Sequence, residues 1–99
     1  KMQDSATLAT PVAIQEALGG QEISVFPNPT RGLLTVQFSA EPANVPIATL
    51  YDMNGRLLLE RKLNGGNMLE LDLSHLAHGA YILRISSGRE QQEWKVLKE

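Results

Sequence analysis

From Ile23 onward the apolar residues recur at every second position, in short runs cut by turn residues. Ile23 and Val25 open the pattern, and Pro27-Asn28-Pro29-Thr30-Arg31-Gly32 breaks it. Leu34, Val36 and Phe38 share a period of two, and Glu41–Pro46 forms the next loop. Ala48 and Leu50 point one way in the following run, Thr49 and Tyr51 the other. Asp52-Met53-Asn54-Gly55 reads as a hairpin turn, because Asn and Gly tolerate the positive φ that tight hairpins need. Leu57, Leu59 and Leu63 continue beyond it to a second Gly-rich turn, Asn64-Gly65-Gly66-Asn67. Leu69, Leu71 and Leu73 alternate with Glu70 and Asp72, the clearest inside–outside pattern in the chain. After a corner at Ser74–Gly79, Tyr81, Leu83 and Ile85 alternate with Ile82 and Arg84. A turn at Ser87–Glu90 leads into a last run through Trp94 and Val96.

About seven strands at a spacing of roughly 8–12 residues predict an all-β, immunoglobulin-like antiparallel β-sandwich over residues 23–99. Helical periodicity is missing there. A one-residue slip in register would expose Leu69, Leu71 and Leu73 together, so the alternation also specifies the pairing.

Residues 1–22 differ. Lys1–Thr10 has a small, polar linker composition. Thr10 as N-cap, Pro11 at the first helical position and Gly19-Gly20 as a stop predict a short helical segment within a tether. Pro27 and Pro29 are expected to end the first strand and to suit an edge position.

The chain has 99 residues, a net charge of -2 and no cysteine. That is one domain's worth, without disulfides or thiolate metal sites. Its acidic balance argues against a nucleic-acid backbone binder. No apolar run reaches the ~18 residues a membrane-spanning helix needs, and Lys1-Met2-Gln3-Asp4 leads into polar sequence without a signal-peptide pattern.

Candidate chemistry is thin. Asp72, Ser74, His75 and His78 could be drawn as a metal site or a Ser-His-Asp set. No third strong ligand follows, and neighbours in sequence cannot fold back onto one another as a triad requires. Asp52-x-Asn54-Gly55 resembles the start of a calcium loop, but its twelfth position is Leu63, where a Glu is needed. Asn28-Pro29-Thr30 is a disqualified glycosylation sequon. Trp94 beside Lys95 is expected to pack inward with Lys95 on the outer face. The residues point to no enzyme and no cofactor.

The order of these blocks is more informative than any one of them. Phe26–Gly32, Leu50–Arg56, Leu71–Ile85 and Lys95–Glu99 follow one another at a spacing that resembles the C-terminal sorting domain of proteins exported by the type IX secretion system, in its type A form. Asp4-Ser5-Ala6 also resembles a short O-glycosylation triplet of such bacteria. The ending departs slightly, with acidic Glu99 after Lys98.

The resemblance implies a delivery function. The domain would be the tail of a larger exported protein, folded in the periplasm in transit and then at the cell surface or secreted. Its partners would be the translocon and a sortase, with cargo then joined to anionic lipopolysaccharide. Recognition would fall on Pro27, Asn28, Pro29, Gly32, Tyr51, Asp52, Gly55, Gly79, Tyr81, Lys95 and Lys98. Cleavage would fall in Leu18-Gly19-Gly20-Gln21, and strand addition along an open edge at Gln92–Leu97 would supply contact. The alternative is an uncleaved immunoglobulin-like surface module that binds lipopolysaccharide, carbohydrate or a partner protein.

Overall fold

A computed structural model describes residues 13–17, 21–42 and 44–99. Among them run eight strands: β1 Ala13–Ala17, β2 Gln21–Phe26, β3 Leu33–Phe38, β4 Ile47–Asp52, β5 Leu57–Lys62, β6 Met68–Asp72, β7 Gly79–Ser87 and β8 Glu90–Lys98. They form two four-stranded sheets, ordered β1-β2-β3-β6 and β5-β4-β7-β8. Every strand pairing is antiparallel. The seven strands from Gln21 to Lys98 are those the alternation predicts, and the sandwich is the expected fold.

The period-two residues meet between the sheets. Leu34 lies opposite Leu71 and Val25 opposite Val36 in one sheet. In the other, Leu50, Leu83 and Trp94 stand in one row across β4, β7 and β8. All are buried, as are Ile23, Phe38, Leu73, Ile85 and Val96. Each large aliphatic removed from water contributes about 1.5–3 kcal/mol before ordering costs. Trp94 faces inward and Lys95 outward, as expected.

Three local expectations change. Ala13–Ala17 is a strand, not part of a helix, with Ala13 opposite Val25 and Ala17 opposite Gln21. A helix of about eight residues has too few internal bonds to stand alone, whereas the flank of β2 offers a full ladder. The sandwich's strands thus begin ahead of the expected boundary at residue 22. Because β1 covers it, β2 lies between two neighbours and is not an edge. Pro27 and Pro29 sit beyond its last residue and remove no ladder donor.

The third change is in β5. Leu50 pairs with Leu59 and Tyr51 with Leu57, so Leu58 is an extra residue in the ladder. This bulge reverses the alternation. Leu57 turns outward, 53% exposed, while Leu58 and Leu59 pack partly against the core.

Candidate functional site

The four blocks of the sequence converge on one end of the sandwich. Asp52, at the end of β4, lies opposite Tyr81 of β7. Gly79 lies opposite Lys98 of β8, and Lys98 forms a parallel bridge with Thr30. The carbonyl of Gly32 accepts the Leu73 N–H at 2.7 Å, joining the loop after β2 to the corner after β6. Sequence order alone could not show this meeting.

The closest junction is between the 27–32 loop and β8. The Asn28 side-chain amide donates to the Lys95 carbonyl at 2.9 Å, and its Oδ1 accepts the Leu97 N–H at 2.9 Å. Thr30 then takes over with its backbone. Its N–H donates to the Leu97 carbonyl and its carbonyl accepts the Glu99 N–H, both at 2.8 Å. Thr30 is fully buried, and its hydroxyl is satisfied by donating to Leu33 O at 2.6 Å and accepting the Gly32 N–H at 3.1 Å. The peptide bonds before Pro27 and Pro29 are both cis. A Cβ placed on Gly32 would stand 3.4 Å from the Cβ of Ser74, so the loop and corner are in close contact there. Glu99 reaches Arg31 at 3.7 Å in an exposed pair.

The Asp52 turn is built from its carboxylate. Oδ1 accepts the N–H groups of Asn54 and Arg56 at 2.9 Å each, and Oδ2 lies 3.3 Å from the Arg56 guanidinium. These donors, the Arg56 N–H first, hold the Asp52 carboxyl below its ordinary range. Gly55 completes the turn at φ +85, which other residues adopt only with strain. A side chain at Gly55 would meet open space, so the backbone alone explains the glycine.

Beside this turn the Arg84 guanidinium lies over the Tyr51 ring, 5.1 Å from its centre, and 2.7 Å from Glu93. The Glu93 hydrogen bond raises the already high Arg84 pKa. Tyr51, Met53 and Ile82 line a shallow depression of about 300 Å³ with Asp52, Gly55, Arg84 and Glu93.

The Ser74–Gly79 corner is structural chemistry. Asp72 Oδ1 accepts the Ser74 N–H at 2.9 Å, and bonding to Ser74, its hydroxyl first, lowers the Asp72 pKa. Leu76 packs against the core. His75 and His78 are exposed, and among the described residues no group of three His, Cys, Asp or Glu side chains converges as metal ligands do. Gly79 stands at φ +149, and Tyr81 donates its hydroxyl back to the Ala77 carbonyl at 2.5 Å.

Of the expected cleavage region, Leu18, Gly19 and Gly20 lie outside the described residues, as does the Asp4-Ser5-Ala6 triplet. Gln21 is the first residue of β2, paired with Ala17. Glu22, next to it, bonds to Ser39 at the end of the sandwich opposite the four blocks.

The secretion system C-terminal sorting domain model matches residues 24–99. The chain belongs to that family. A search of curated proteins finds no match. Among solved structures, a DUF3244 family protein from Bacteroides vulgatus, described as an immunoglobulin-like β-sandwich, superposes with a TM-score of 0.71. Its sequence identity is 20%, over 91% of this chain and 98% of that one. At that identity the likeness shows the fold alone. The chain is thus a type IX sorting domain on an immunoglobulin-like sandwich. In this sorting domain Asn28, Asp52 and Gly79 are positions whose bonds or backbone angles build the end where the blocks meet.

Proposed function

We propose that this sorting domain carries a cargo protein to the type IX outer-membrane translocon, and that a sortase then removes it and joins the cargo to surface lipopolysaccharide. The observation that carries the reading is the convergence of all four blocks on one end of the sandwich. That gives a receptor one contiguous surface, which includes Pro27, Asn28, Gly32, Asp52, Gly55, Gly79, Lys95 and Lys98. The domain acts here by being recognised. Asp72 is engaged by Ser74 and both histidines face solvent, an arrangement that favours a turn over catalysis.

Cleavage within 18–21 requires a further step. Proteases take substrate as exposed, locally unfolded chain, and Gln21 is paired with Ala17 across the β1–β2 hairpin. The hairpin would open before or during the cut. The same pairing favours a second reading, in which the domain stays attached as a surface module that binds lipopolysaccharide, carbohydrate or a partner protein.

Fusing residues 1–99 to an inert fluorescent reporter in a type IX-competent cell tests both. Reporter at the surface, with mass lost from the domain end, is expected. Surface reporter with the domain attached would establish the retained module. Reporter trapped in the periplasm would overturn both readings.

A further inference from the structure

The geometry points to Asn28 as a positioning residue of the sorting signal, which acts by closing the free edge of β8 and holding Lys95–Glu99 as a strand with its outer-face side chains displayed. This rests on the sorting function proposed above.

In a parallel ladder, one residue donates its N–H to the carbonyl before its partner position and accepts the N–H after it. Thr30 does this around Lys98, bonding Leu97 O and Glu99 N. Two residues earlier the same step falls around Val96, and it is made by the Asn28 side chain, which bonds Lys95 O and Leu97 N. A carboxamide carries one donor group and one acceptor in the geometry of a peptide, so Asn28 substitutes for a backbone unit. Together the four bonds occupy the outer edge of β8 from Lys95 to Glu99.

Two consequences follow. Strand addition along Gln92–Leu97, the contact expected there, is blocked over its last part, because the outer-edge groups from the Lys95 carbonyl to Leu97 are taken. What remains is the row of side chains on the outer face of the sheet, where Lys95 and Leu97 lie opposite Ile82 and Ala80. Lys95 is exposed and Leu97 is 43% exposed, an ammonium and an aliphatic group at fixed spacing. A receptor surface with an acidic group beside an apolar one fits this pair. An unclamped tail would sample many spacings and lose binding to that ordering cost.

The test compares the reporter fusion with Asn28→Ala and Asn28→Asp versions, and follows three quantities in each. These are the thermal midpoint, amide hydrogen exchange at Leu97 and Glu99, and the rate at which reporter reaches the surface. With Asn28→Ala, exchange at Leu97 is expected to rise roughly five- to tenfold, as for loss of one hydrogen bond. Surface delivery is expected to slow several-fold with the melting transition of the rest of the domain kept. Asn28→Asp retains the acceptor for Leu97 and is expected to recover part of both, and it carries the test should the alanine version fail to fold. A merely structural residue would move midpoint and delivery together and leave no exchange change confined to the tail. Delivery at the unmodified rate despite faster exchange at Leu97 would overturn the inference while leaving the sorting function intact. Failure of the unmodified fusion to reach the surface would instead remove the sorting function on which it rests.

Discussion

The Tyr81 hydroxyl donates to the carbonyl of Ala77, four residues upstream, and ties the later part of the β6–β7 corner to the strand that leaves it. Tyr81 is 7% exposed, so its ring is part of the core while its hydroxyl holds the loop. Immunoglobulin-like sandwiches use a tyrosine in this way at the entry to the equivalent strand.

Replacing Tyr81 with Phe keeps the ring and deletes the bond. It is expected to destabilise the domain by about 1 kcal/mol, which lowers the thermal midpoint by roughly 4–8 °C in a domain of this size. Calorimetry on the purified domain measures it directly. An unchanged midpoint would mean that water replaces the hydroxyl without loss.

Gly79 is expected to resist substitution for a different reason. At φ +149 an added Cβ meets no neighbour, yet the backbone angle is one that L side chains rarely adopt. Gly79→Ala is expected to cost on the order of 1–3 kcal/mol, read as a lower denaturant midpoint with an unchanged slope. Because Gly79 lies opposite Lys98, faster exchange at the end of β8 should accompany it.

Acid should weaken the turns before it weakens the core. The carboxyls of Asp52 and Asp72 are both held below their ordinary value of 3.8 by hydrogen bonds made only in the folded chain. A depressed native pKa means the unfolded chain binds the proton first, so stability is fully present above about 3.8 and is lost as pH falls through the native values. Denaturant melts from pH 5 downward should therefore fall below pH 4. An Asp52→Asn, Asp72→Asn double variant should show a flatter acid limb with a lower plateau near neutrality.

The strands were legible wherever burial follows the pleat. Val36, Leu71 and Trp94 are buried between polar neighbours because each strand has one wet face, and one sequence carries that fact locally. Leu57 departs from the alternation because of the Leu58 bulge, which exists only against β4. Residues 13–17 read as helix because Thr10-Pro11 and Gly19-Gly20 are local helix signals, whereas their ladder depends on β2 being present. The site was half legible. Pro27 and Pro29 announced the end of a strand, but the partners of Asn28 lie 67 and 69 residues away. No local spacing encodes that contact.

The packing row of Leu50, Leu83 and Trp94 sets how much the domain can lose. Leu83 is fully buried at its centre. Leu83→Ala is expected to cost about 2–5 kcal/mol through lost transfer energy and the cavity left behind. Native domains have only about 5–15 kcal/mol in hand, so a large unfolded fraction on mild heating is the expected result. Trp94 fluorescence should report it, since the indole leaves the core when the sheets part. A loss below about 1 kcal/mol would mean that the two sheets collapse into the space.

Removal of β1 completes the argument about the tether. If the cut falls between Ala17 and Gln21, β1 stays with the cargo and the released domain begins at β2. That leaves one side of β2 with unpaired N–H and carbonyl groups along Gln21–Val25, next to the core strand β3. Unpaired edges are templates for association. A chain of residues 21–99 is therefore expected to dimerise or aggregate at concentrations where residues 1–99 stay monomeric. Sedimentation at matched concentrations decides it. Exchange protection of β2 amides should return on dimerisation if the new contact is edge to edge. A stable monomer with fast β2 exchange would show instead that the edge is tolerated, and that β1 guards nothing.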